Sequence, residues 1–175
     1  MKHFAGPVLA LAVLLQGCGQ DVPLLGGNDG QAGAALDEQA IAVGILPDPE
    51  KTEFAGQYET RSDLGVDKFC AVKNATDAYD VGFLAVFGPE SKCEGKGQAT
   101  VVGEAVQVRL SGAGPCNFTA RYDGIELRFS GVVEEGCARY CSDRASLSGT
   151  HYFMVESDDA AARKTLGRDI ERLCG

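Results

Sequence analysis

Phe118-Thr119-Ala120-Arg121-Tyr122-Asp123-Gly124-Ile125-Glu126-Leu127-Arg128-Phe129 (FTARYDGIELRF) is the stretch that decides the fold. Phe118, Ala120 and Tyr122 alternate with Thr119 and Arg121. After Asp123-Gly124, Ile125, Leu127 and Phe129 alternate with Glu126 and Arg128. A period of two puts the apolar set on one face of a strand and the polar set on the other. Asp-Gly between two such runs is a strong hairpin signal, because a type I′ turn needs positive φ at both central residues. One apolar and one charged face is the mark of an antiparallel sheet wet on one side.

The same pattern extends outward in both directions. Val106, Val108 and Leu110 alternate with Gln107 and Arg109, and Gly103-Glu104 offers a tight turn back to Gln98–Val102. Tyr79 to Phe87 is the most apolar run. Tyr79, Val81, Phe83, Ala85 and Phe87 fall on one face and Leu84 and Val86 on the other, so this strand should be covered on both sides. Shorter runs begin at Gly56-Gln57-Tyr58 and around Phe69 to Val72, and Thr150–Val155 makes a last strand. Ser157-Asp158-Asp159 then provides an N-cap and acids for the first turn of a helix. Leu166, Ile170, Leu173 and Cys174 continue at helical spacing. The expected fold is mainly β: an antiparallel meander of about seven strands curled into a small barrel or sandwich, with a C-terminal α-helix packed on it.

The first eighteen residues, MKHFAGPVLALAVLLQGC, carry a different message. Lys2 and His3 precede an apolar run, Phe4 to Leu15, that is too short for a hydrocarbon core needing ~20 residues, and so reads as a secretory leader. Leu15-Gln16-Gly17-Cys18 resembles the lipobox of bacterial lipoproteins, with Gln16 where that family more often has Ala or Ser. The resemblance implies cleavage before Cys18 and acylation of its sulfur and amine. Two or more acyl chains hold a protein stably at a membrane, where one does not. Asp21 does not directly follow the cysteine, and in that family this pattern implies the outer membrane, facing the periplasm. The expected organisation is a signal peptide (1–17), a lipid-anchored flexible tether (18–50) and a disulfide-tied β-rich domain (51–175). The glycine-rich stretch from Gly19 to about Gly33 reads as coil. Ala34 to Leu46 reads as either a short helix or a first strand, stopped at Leu46-Pro47-Asp48-Pro49.

Seven cysteines fit this address. With Cys18 lipidated, Cys70, Cys93, Cys116, Cys137, Cys141 and Cys174 form an even set, which in an oxidising compartment reads as three disulfides. Sequence does not choose among the 15 possible pairings. The working guess joins Cys70 to Cys93, Cys116 to Cys137 or Cys141, and Cys174 to the remaining one. No C-x-x-C occurs, and no metal or cofactor is expected.

Two further resemblances bear on architecture. Gly56-x-Tyr58 resembles the G-x-W opening of lipocalins, without the Trp. Cys116-Asn117-Phe118 through Phe129 resembles a stretch of META domains, which occur in bacterial envelope lipoproteins. Both are analogies of architecture only, and imply a β fold.

Chemistry is sparse. The formal net charge is −9, which disfavours nucleic acid as a partner. His151 is the only histidine after the leader, and no nucleophile elbow, phosphate loop or H-E-x-x-H accompanies it. Asp77, Asp80 and Glu90 flank the apolar strand as candidates for a pocket rim or as solvated strand ends. Cys137–Arg144, CARYCSDR, is the densest cluster. Arg139, Tyr140 and Arg144 either contact an anionic or protein partner, or cover a disulfide loop and pair with neighbouring acids. The functional expectation is a non-catalytic envelope lipoprotein with a binding or structural domain, its partner an envelope protein or a small ligand. The alternatives are a periplasmic inhibitor module and an envelope enzyme using His151.

Overall fold

The structure is a computed structural model that describes residues 29–43, 45, 46, 48 and 53–175. Cys18 and the first part of the expected tether lie outside the described residues. Helix α1, Asp29–Ala42, begins inside the stretch read as coil and takes the helical alternative for the segment that follows.

Eight strands follow: β1 Gly56–Ser62, β2 Gly65–Lys73, β3 Tyr79–Val86, β4 Lys92–Val102, β5 Ala105–Ser111, β6 Cys116–Tyr122, β7 Glu126–Phe129 and β8 His151–Glu156. Each pairs antiparallel with its sequence neighbour, and β8 pairs with β1, so the sheet closes into a barrel. The expected barrel is thus found, with eight strands where about seven were expected. A 3-10 helix, Glu135–Tyr140, lies in the β7–β8 connection, and a one-turn helix α2, Asp159–Ala162, follows β8.

The alternation has a direct structural meaning. β5 and β6 alternate strictly between exposed and buried positions. The inward residues Tyr58, Phe69, Phe83, Phe118, Tyr122, Phe129 and Tyr152 fill the lumen with rings. Ring centroids lie 4.6 Å apart for Phe118–Phe129 and 5.3 Å for Phe129–Tyr152, both at tilted angles, away from the face-to-face stacking that ring quadrupoles disfavour. Phe54, just before β1, plugs one end against Tyr79 and Tyr122, at 5.0 and 5.1 Å. Tyr140 and Leu147, from the long β7–β8 connection, join the core at the other end. The outer face carries Glu59, Lys68, Lys96, Gln98, Arg109, Arg121 and Arg128. That is the inverse of a membrane-spanning barrel, whose outer face is an apolar band.

The 118–129 hairpin forms, but not with the expected turn. Tyr122 pairs with Leu127, leaving four residues in the loop. The Asp123 carboxylate accepts the N–H groups of Ile125 and Glu126, at 3.0 and 2.8 Å. Gly124 takes positive φ and Asp123 does not, so this is an Asx-capped turn and not type I′. The pairing is displaced by two residues, which keeps Leu127 and Phe129 inward. Only Ile125 leaves the face, and it is exposed.

β3 is covered on both sides, as its composition requires. Val81, Phe83 and Ala85 face the lumen. Leu84 and Val86 join Cys70 and Val72 in a second, smaller core outside the barrel, under Ala162, Leu173 and Cys174. What covers them corrects the sequence reading. Asp158 caps α2 as expected, accepting the Ala161 N–H at 2.8 Å, but the helix lasts one turn. Residues 163–175 continue as an irregular strap across the outer faces of β2, β3 and β4. The Glu94 carboxylate takes the N–H groups of Arg168, Asp169 and Ile170, at 2.8, 3.0 and 3.1 Å. Donors that a helix would pair internally are bonded to a side chain on β4 instead. Leu166, counted in the helical stripe, is exposed.

The six cysteines form three disulfides: Cys70–Cys174, Cys93–Cys141 and Cys116–Cys137. Cys116–Cys137 agrees with the working guess. Cys70 bonds to the strap and not to Cys93, so the other two pairings differ from it. The Cys137–Cys141 spacing serves two bridges, because the 3-10 helix spans the starts of β4 and β6 at one end of the barrel.

Candidate functional site

The cluster Cys137–Arg144 is divided by its local structure. Tyr140 is buried at 7 % exposure. Its hydroxyl donates to the Gly114 carbonyl at 2.6 Å, and its ring occupies the space a side chain on Gly95 would need. Tyr140 is therefore a barrel plug and not a partner contact, which corrects the reading that grouped it with the arginines. Arg139 and Arg144 are exposed. They do not pair with neighbouring acids, for neither appears among the ion pairs of the described residues.

His151 opens β8 and is half-buried. Its ring meets Phe153 edge-on, with centroids 5.6 Å apart; its main-chain carbonyl accepts the Thr60 hydroxyl at 2.6 Å, while its imidazole has no hydrogen bond to a carboxylate or hydroxyl among the described residues. Among the described residues, too, no three of His, Cys, Asp and Glu are grouped as a metal site. Asp77 and Glu90 are exposed at strand ends. Asp80 accepts from Asn74 at 3.2 Å and from Gln98 at 3.3 Å.

The strap creates two features that the sequence did not signal. One is its latch. Lys92 pairs with Glu94 and also with Asp169, at 2.6 Å. Burial alone would push the Glu94 carboxyl up. The Lys92 ammonium and the N–H groups of Asp169, Ile170 and Arg168 outweigh it, and hold the carboxyl below its ordinary value. Desolvation would lower Lys92, but its bonds to Asp169 and Glu94 raise it overall. Arg168 adds guanidinium bonds to the carbonyls of Gly88 and Pro89, at 3.2 and 3.1 Å.

The other is a cleft of about 610 Å³, walled by the strap on one side and floored by the outer face of β3–β5. Strand register builds its floor. Asp80, Gln98 and Arg109 form one cross-strand row, and Gly82, Lys96 and Ser111 form the next. Gly82 carries no side chain, and the strap seats there, with the Leu173 carbonyl against it. Arg163 reaches the cleft from the end of α2. Three cations thus line the cleft on a chain of net charge −9. Lys96 donates to a main-chain oxygen of Gly175 at 3.0 Å. Arg109 and Arg163 have no carboxylate partner among the ion pairs of the described residues. The alternation around Arg109 marked it as outward-facing. Its convergence with Lys96 and Arg163 depends on register and on the strap, which no local pattern encodes.

Comparison with protein-family models, with curated proteins and with solved structures finds no match to this chain.

Proposed function

We propose that this chain is a lipid-anchored cell-envelope protein whose barrel is a non-catalytic binding or structural module, acting through its outer surface. Cysteine arithmetic carries the reading. Six of the seven cysteines are consumed in three disulfides, which belong to an oxidising compartment. The odd sulfur is Cys18, at the end of the segment that resembles a lipobox. The anchor would hold the module at a membrane, facing the periplasm from the outer one.

The filled lumen supports the outer surface as the working part. Eight-stranded barrels that carry a ligand keep a cavity inside, whereas here aromatic rings occupy the lumen and both ends are plugged. The side chains that remain available face outward. His151 has no orienting carboxylate at hydrogen-bond distance among the described residues, which favours binding over general-base catalysis.

The test is the intact mass of the native protein from a membrane fraction, with thiols alkylated before any reduction. The expected result is an N-terminal acylated Cys18 and no alkylated cysteine. An unmodified Cys18 or two or more free thiols would overturn the anchored, three-disulfide reading. Loss of an envelope activity in His151→Ala with the fold intact would move the assignment to an enzyme.

A further inference from the structure

We propose that the cleft between the strap and the outer face of β3–β5 is a binding site for a phosphate-bearing polar molecule. The proposal rests on the surface-acting module described above and names its ligand class.

Charge is the first argument. On a chain of net charge −9, Lys96, Arg109 and Arg163 converge on one concavity. The other outward arginines of the sheet are neutralised locally. Arg61 pairs with Glu59, Arg121 with Glu104 and Arg128 with Glu126. Arg109 and Arg163 have no such acid among the ion pairs of the described residues, so three cations face a single side-chain carboxylate, Asp80, in the lining. Cations in a concave, low-dielectric wall focus their field and raise the local concentration of anions.

Donor chemistry is the second. Arginine presents a planar fork that matches the oxygens of phosphate, and lysine adds a compact point charge. Ser111, beside Lys96 in the register, supplies a neutral donor. Asp80 is the side-chain carboxylate of the lining, and it already accepts from Asn74 and Gln98 at the far end of its row. An anion would therefore seat toward Lys96, Ser111 and the two arginines.

Size is the third. About 610 Å³ falls within the ~300–1,000 Å³ typical of small-molecule sites. It suits a compact headgroup or a small phosphorylated molecule, and not a nucleic acid duplex.

The test is a titration of the isotopically labelled full chain with sodium pyrophosphate at low salt, read by amide shifts. Saturable shifts at Lys96, Arg109 and Ser111 are expected. Arg109→Ala and Arg163→Ala should each weaken binding about tenfold, the loss of one charge-assisted contact, while Arg121→Ala should leave it unchanged. A parallel arm uses phosphatidylcholine bicelles with and without phosphatidic acid. Shifts at the same amides only with phosphatidic acid would support the site and make a lipid headgroup its source. No shift in either arm at about 10 mM, where a millimolar site would be nearly filled, would overturn the proposal. Shifts that persist unchanged in both arginine variants would overturn it too. Unshifted amides elsewhere report that each variant is folded. Failure here leaves the anchored-module reading standing, because that reading is tested by the mass of Cys18 and by His151→Ala.

Discussion

The carbonyl oxygen of Leu173 lies 2.3 Å from the point where a β-carbon on Gly82 would stand. Gly82 sits mid-strand on β3, facing outward, and its missing side chain lets the strap lie flat on the barrel. A methyl group there must push the strap away. Gly82→Ala should cost about 1–3 kcal/mol, the usual penalty of overpacking. Hydrogen exchange should quicken across residues 163–175 while the barrel amides stay protected. Unchanged protection of the strap would show that it seats elsewhere.

Glu94 gives the strap a pH dependence of defined sign. Its carboxyl is held below the ordinary value in the fold. Its stabilising contribution is therefore present above the unfolded pKa and lost as pH falls through the folded one. Strap protection should be constant above about pH 5.5 and decline below the ordinary glutamate value of about 4.3. Glu94→Gln should remove that decline and cost about 2–3 kcal/mol at neutral pH, because charge-assisted bonds are lost. Denaturation midpoints of the two proteins from pH 3 to 7 check both statements.

The Cys70–Cys174 and Cys93–Cys141 disulfides should behave differently. Replacing Cys70 and Cys174 with alanine frees the strap from β2 and should cost about 2–4 kcal/mol. Its signature should be exchange confined to residues 163–175 and to the outer face of β2–β3. Replacing Cys93 and Cys141 loosens the plug, so added exchange should appear in the β7–β8 connection, the end of β3 and the start of β4.

Tyr140 and its arginine neighbours should behave oppositely. Tyr140→Ala should cost about 3–4 kcal/mol, as for a large aromatic removed from a core. Arg139→Ala and Arg144→Ala should stay within about 0.5 kcal/mol. Thermal unfolding of the three variants distinguishes this division from a single exposed knob.

Where the determinants are local, the sequence was legible. The alternation in β5 and β6 located inward and outward faces residue by residue, and the two apolar faces of β3 anticipated its second cover. The spacing of Leu166, Ile170 and Leu173 suggested more helix than forms, because the group that unwinds it is Glu94, more than seventy residues upstream. Tyr140 looked like a surface residue beside two arginines. The signal against that was Gly95, a glycine inside a strand, which often marks close approach by another part of the chain. The cysteine pairings and the cationic cleft depend on which strands adjoin and on where the strap lies. Neither is written in a window of neighbouring residues.

The closing seam also orders the folding of the chain in time. Every ladder but one joins strands adjacent in sequence, so hairpins can zip up in turn as the polypeptide emerges. The exceptions fall together at the end. β1 waits for β8, and Cys70 waits for a partner 104 residues later. An emerging chain therefore holds an open, curled sheet with an unpaired edge until β8 is delivered. During that interval, unpaired strand edges invite association with other chains, and a truncation that spares all eight strands would still leave Cys70 without its partner.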